Sequence, residues 1–149
     1  MDTYGRRVTL ALPFETAVDE LATALKTNGF VILGRNDVHT LLERVVGCPF
    51  RPYTLLEVAM PNVLLDALRD DPAVGAVLPT TIAVFEVAAT ETAVLVSEPF
   101  AALGSDAHWR RTHRQVALLS DMTCDRLGRV LMELEEAART IVELRRMIG

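Results

Sequence analysis

The chain has 149 residues, half of them hydrophobic, with a net charge of -5; that suits one domain with a real core and is too apolar for a disordered chain. No apolar run reaches the roughly 18 residues of a membrane helix, and MDTYGRRVTLALPF lacks the basic segment and long apolar block of a signal peptide, so a cytoplasmic location is expected. Residues 1–104 hold 13 acidic against 7 basic side chains and residues 105–149 hold 7 against 8, so neither part supplies the positive field that nucleic-acid phosphates require.

RRVTLAL, residues 6–12, places Val8, Leu10 and Leu12 on one face, the period of a half-buried strand. In PFETAVDELATALKTNG, Phe14, Ala17, Val18, Leu21 and Leu25 recur at helical spacing. Pro13 opens this helix, Glu15, Asp19 and Glu20 suit its positive end, and Gly29 stops it. FVILG reads as a second strand. NDVHTLLERVVG predicts a short helix capped by Asn36 or Asp37 and ended by Gly47. CPFRP is irregular because Pro49 and Pro52 restrict their neighbours.

YTLLEVAM reads as a third strand, apolar on both faces and therefore central. Pro61 starts a short helix with Val63, Leu64, Ala67 and Leu68 inward, and DPAVGAVLP turns at Asp71-Pro72 and Gly75. TTIAVFEVAATETAVLVSEP predicts a hairpin turning near Ala89 to Glu91, with Ile82, Val84 and Glu86 on one face and Val94 and Val96 on the return strand. GSDAHWRRTH, residues 104–113, is the one linker-like stretch.

From about residue 115 the chain reads as helix. Leu127, Leu134, Ile141 and Ile148 repeat every seven residues, with Val130, Leu131, Ala137, Ala138 and Leu144 beside them, which keeps an apolar seam on one side. About thirty residues span about 45 Å, more than the width of so small a domain. The last turns are therefore expected to project and a homodimer to form through the C-terminal helix, with residues 134–149 as the extension that makes it. The order gives an α+β domain: a sheet of about five strands, helices packed on one side, and a long C-terminal helix.

Several side chains are candidates for chemistry. Cys48 lies near Arg44 and Arg51, whose charge favours a thiolate, whereas Cys124 falls on the apolar stripe as a core cysteine; the two form no motif and indicate no disulfide framework. His39, His108 and His113 are possible metal or haem ligands, but no pair has the i, i+4 spacing of a helical metal site. HWRRTHR, residues 108–114, combines Trp109 with Arg110, Arg111 and Arg114, a set that suits an anionic or planar ligand or simply a solvated loop with one apolar anchor. Tyr53 at a strand start and Asp37 at a helix start are the polar residues best placed for a pocket, and capping alone also accounts for Asp37. No phosphate loop, nucleophile elbow or acid/base pair is visible, and no cofactor is implied.

The order and spacing of Gly29-Phe30, Asp37-Val38, Pro52-Tyr53, Leu55, Pro61, Leu68, Asp71-Pro72, Gly75, Leu78-Pro79 and Pro99 resemble the family known as domain of unknown function 302, over roughly residues 4–132. Members commonly carry Cys-Asn-Pro where this chain has Ala59-Met60-Pro61, and Pro-Cys-Asn where it has Pro79-Thr80-Thr81. The resemblance implies an α+β, dimer-prone fold whose bends survive here without their thiols, so a role resting on those cysteines does not carry over.

The first functional expectation is a non-catalytic dimeric module binding a small ligand or a protein partner. Its cleft is apolar and lined by Tyr53, Met60 and Pro79, with Thr80 and Asp37 as further contacts. The alternatives are an enzyme descended from a thiol-using ancestor, built on Tyr53, Asp37, His39 and Cys48, and a haem or metal sensor using His39 or His108.

Overall fold

The alternating and periodic segments become strands and helices in a computed structural model that describes residues 4–98 and 107–149. In chain order these are β1 (Gly5–Leu10), α1 (Phe14–Thr27), β2 (Val31–Asp37), α2 (Val38–Val46), β3 (Tyr53–Ala59) and α3 (Pro61–Asp70). A 3-10 turn (Pro72–Ala76) leads to β4 (Thr80–Ala88), β5 (Glu91–Ser97), α4 (Ala107–Thr112) and α5 (Arg114–Ile148). The sheet is antiparallel throughout, in the order β1-β5-β4-β3-β2. β1 pairs with β5 and not with its neighbour in sequence, which closes the chain's start onto the end of the hairpin.

Strand alternation sends Leu56 and Val58 of β3, Ile82 and Val84 of β4, and Val94 and Val96 of β5 to one face, all of them buried. Phe14, Leu21 and Leu25 of α1 and Leu127 and Leu134 of α5 pack on that face to make the core. Each such side chain fully withdrawn from water stabilises the fold by about 1.5–3 kcal/mol. A smaller cluster joins Ala67 of α3 to Val74, Leu78, Val116 and Leu119, with Trp109 against it.

The element ends follow local chemistry. α1 stops at Thr27, two residues before Gly29, and α2 ends at Gly47, whose φ of 72° is a left-handed cap that a side chain would oppose. Pro61 occupies the first turn of α3, where no N–H is needed. Asp71 caps the 3-10 turn by accepting from the Ala73 N–H at 3.0 Å. The hairpin turns through Ala89 and Thr90, since Ala88 pairs with Glu91.

Two expectations are corrected. The second strand runs to Asp37, and that residue does not cap α2 with its side chain. Its carboxylate accepts from Arg35 Nε at 3.0 Å instead, because the strand brings the two together. The stretch read as linker is helical over Ala107–Thr112, and its residues 104–106, like Pro99, lie outside the described residues.

The heptad seam divides along the last helix. α5 has 35 residues and extends about 52 Å. Leu127, Leu134 and Ala138 are buried and Ile141 packs on the same core, so most of the seam is consumed within the chain. Only Leu144, Met147 and Ile148 in the last turns stay exposed. Among the described residues no helix is long and apolar enough to cross a membrane.

Candidate functional site

Where α5 crosses the start of β4 and the end of β5, the packing leaves a cavity of about 280 Å³. Leu78, Trp109, Ala117 and Leu127 supply apolar wall; Thr80, Ser97, Ser120, Thr123 and Cys124 supply small polar groups. Glu98 and the Arg110–Asp121 pair complete it. Thr80 is first in β4 and pairs with Val58, and the Thr81 N–H donates to Ser97 Oγ at 3.3 Å, so sheet geometry fixes this side of the wall.

Arg6 braces the wall from behind. It occupies an inward position of β1, with the parity of Val8 and Leu10. Its Nη2 donates to the Cys124 carbonyl at 2.8 Å and its Nε lies 2.6 Å from Glu98 Oε1. The ion pair is close but its Nε–H is off line, so this buried atom has no well-directed acceptor among the described residues. Both side chains are largely covered, at 25% and 18% exposed.

Burial raises the Cys124 thiol above its ordinary 9.0, outweighing the opposing pull of Arg6. Near neutral pH it is a thiol and a weak nucleophile. The Trp109 ring stacks on His113 at 5.0 Å, which shows what the HWRRTHR stretch does: it folds onto itself and anchors α4.

The opposite end of the sheet gathers other candidates. Tyr53 stacks its ring on Phe85 at 5.4 Å, on the side of the sheet away from the core. His39 Nδ1 lies 2.9 Å from both the N–H and the C=O of Tyr53, accepting from one or donating to the other according to its tautomer. Its ring meets the edge of Phe14. Asp37 lies on the same strand end, as the partner of Thr54 in the sheet register. Burial pushes the Asp37 carboxyl upward, but hydrogen bonds from Arg35 and Thr54 and the charges of Arg35 and His39 outweigh it and hold it below 3.8.

A single cleft lined by Tyr53, Met60 and Pro79 does not form. Tyr53 starts β3 and Met60 follows its far end, and seven residues of strand rise about 23 Å. Met60 lines a separate groove with Asn62, Met122 and Arg126. Thr80 alone of the five ligand candidates lines the cavity between α4, α5 and the ends of β4 and β5, with Pro79 preceding it. Cys48 is exposed, its Sγ 3.7 Å from the Pro49 carbonyl oxygen. Among the described residues no group of three His, Cys, Asp or Glu side chains is placed to hold a metal ion.

Glu98, Ser97 and Ser120 are wall residues that sequence reading missed, and Cys124 was placed wholly in the core although it is only half-buried. One signal was available: an arginine at position 6 on the inward parity of a strand demands a partner.

The sequence matches the family described as "Domain of unknown function DUF302" over residues 6–122. The chain belongs to that family. The crystal structure of an uncharacterised conserved DUF302 protein from Bacillus stearothermophilus superposes with a TM-score of 0.74 at 21% identity, covering 89% of this chain and 99% of that one. At that identity the likeness speaks for the DUF302 fold alone. No curated protein matches the sequence. The DUF302 match ends at Met122, so Thr123, Cys124 and Leu127 of the cavity wall lie beyond it.

Proposed function

We propose that this DUF302 chain is a non-catalytic binding module that holds a small, mostly apolar molecule in the cavity between α4, α5 and the ends of β4 and β5. The observation that carries the reading is the cavity wall itself: apolar side chains from α4, α5 and the segment that leads into β4, interrupted by hydroxyls and a neutral thiol. A volume of about 280 Å³ lies just below the roughly 300–1,000 Å³ of pockets for drug-sized ligands, which favours a smaller guest with one or two hydrogen-bonding groups. Both carboxylates at the wall are engaged, Glu98 with Arg6 and Asp121 with Arg110. Neither is poised as a free base.

Trp109 is the single tryptophan of the chain and lines the cavity, so its fluorescence reports occupancy. Titration with a panel of small aromatic alcohols and amides should shift Trp109 emission saturably in the wild type. Ser120→Leu, which projects bulk into the cavity, should weaken that response at least tenfold. An unresponsive Trp109 across the panel at millimolar concentration, or an equal response from Ser120→Leu, would sink the reading.

A further inference from the structure

The groove beside Met60 carries charges that the fold leaves unspent. It is an open space of about 430 Å³ between the end of α1, the start of α3 and the middle of α5. Spacing of i, i+3, i+4 and i+7 brings Met122, Asp125, Arg126 and Arg129 to one face of α5. Met60, partly buried against the main core, and Asn62 close the other side. The groove shares no lining residue with the cavity beside Trp109.

The two arginines are held differently. Arg126 Nη1 donates to the Asn28 carbonyl at 3.3 Å, which fixes its guanidinium against the end of α1. Arg129 has a carboxylate one turn away on either side, Asp125 before it and Glu133 after it, at the i, i+4 spacing that pairs opposite charges on a helix. Neither pair forms. Glu133 Oε2 accepts instead from Nδ2 of the buried Asn28 at 2.8 Å. Arg129 has neither ion pair nor hydrogen bond among the described residues, and the Asn62 amide has no partner there either.

We propose that this groove binds a small monocarboxylate with a short aliphatic tail. Two guanidiniums and one carboxylate leave it a single positive charge, although the chain as a whole is acidic. One negative charge balances that, whereas a dianion would be repelled by Asp125. A guanidinium meets a carboxylate through two parallel N–H donors, so Arg129 and Arg126 take the head group and the Asn62 amide adds a donor. The thioethers of Met60 and Met122 adapt to the tail. The volume falls within the roughly 300–1,000 Å³ of small-molecule sites. Arg129 is exposed, so water screens the pair and the affinity expected is about millimolar.

The test is titration of the full chain, carbon-13 labelled at its methionine methyls, with sodium hexanoate. The Met60 and Met122 signals should shift saturably, while those of Met132 and Met147, exposed elsewhere on α5, stay in place. Arg129→Gln, at a side chain that holds nothing in the fold, should weaken binding about tenfold. Asp125→Asn, which removes the opposing charge, should tighten it about threefold. Acetate, lacking the tail, should bind about tenfold more weakly than hexanoate. Ser120→Leu, which blocks the other cavity, should leave hexanoate binding unchanged, so failure of the Trp109 titrations and failure here are told apart. The proposal is overturned by the absence of a saturable shift up to about 20 mM, or by movement of Met132 and Met147 alongside. It is equally overturned by undiminished binding to Arg129→Gln, no gain in Asp125→Asn, loss in Ser120→Leu, or acetate or inorganic phosphate binding as tightly as hexanoate.

Discussion

Gly128 lies directly against the guanidinium of Arg6: a Cβ at position 128 would stand 3.0 Å from Arg6 Nη1. Glycine inside a helix costs about 1 kcal/mol relative to alanine. The far end of an arginine could usually swing aside, but here Nη2 is held by the Cys124 carbonyl and Nε is packed on Glu98. Gly128→Ala should therefore destabilise the chain by about 1 kcal/mol net. In an Arg6→Met background, where the guanidinium is gone, the same change should stabilise by about 1 kcal/mol. Chemical denaturation of the four proteins closes the cycle, and additive effects would show that the two residues do not compete for space.

Leu134 and Ile148 belong to one heptad pattern but to different environments. Leu134 is 0% exposed and Ile148 is 86% exposed. Leu134→Ala should cost about 2–5 kcal/mol through lost burial and the cavity it leaves. Ile148→Ala should change stability by less than about 0.5 kcal/mol. Equal effects in urea melts would mean that the seam is not divided as the structure has it.

Asp37 should report its pairing with Arg35 on the acid limb. Its folded pKa is lowered below 3.8, so the unfolded chain binds the proton more tightly. The stability it adds is fully present above the unfolded value and is lost as pH falls through the lower, folded one. The side chain is 40% exposed, so the effect is small, under about 0.5 kcal/mol, and fades with salt. A pH 2–6 series should show Asp37→Asn slightly less stable than wild type at pH 6 and converging with it near pH 2.

The two thiols should separate by reactivity. Cys48 is exposed, whereas Cys124 is half-buried with its thiol pushed above 9.0 by burial. Mass spectrometry after brief iodoacetamide treatment at pH 7.5 should find Cys48 modified at least tenfold faster. A molecule bound in the cavity should slow Cys124 further and leave Cys48 unchanged. Faster labelling of Cys124 would contradict the burial of its side chain.

Much of this protein was legible in its local pattern. Period-two runs gave the strands, the 3.6 period gave α1 and α3, and Pro61 and Gly47 marked helix ends because their backbone limits act within one or two residues. The apolar outward residues of YTLLEVAM implied a strand inside the sheet, and β3 is interior, one strand from the β2 edge.

Tertiary structure decided what local pattern could not. A seven-residue seam records that α5 needs an apolar surface, not whose; only the packing showed that α1 and the sheet supply it for Leu127 and Leu134. The candidate cleft failed because strand length set Tyr53 and Met60 far apart, while pairing of β1 with β5 brought Arg6 to Glu98. Spacing along the chain determines which face a side chain takes, since backbone geometry is local; which residues share a cavity depends on strand order, and that is settled by burial of the whole core at once.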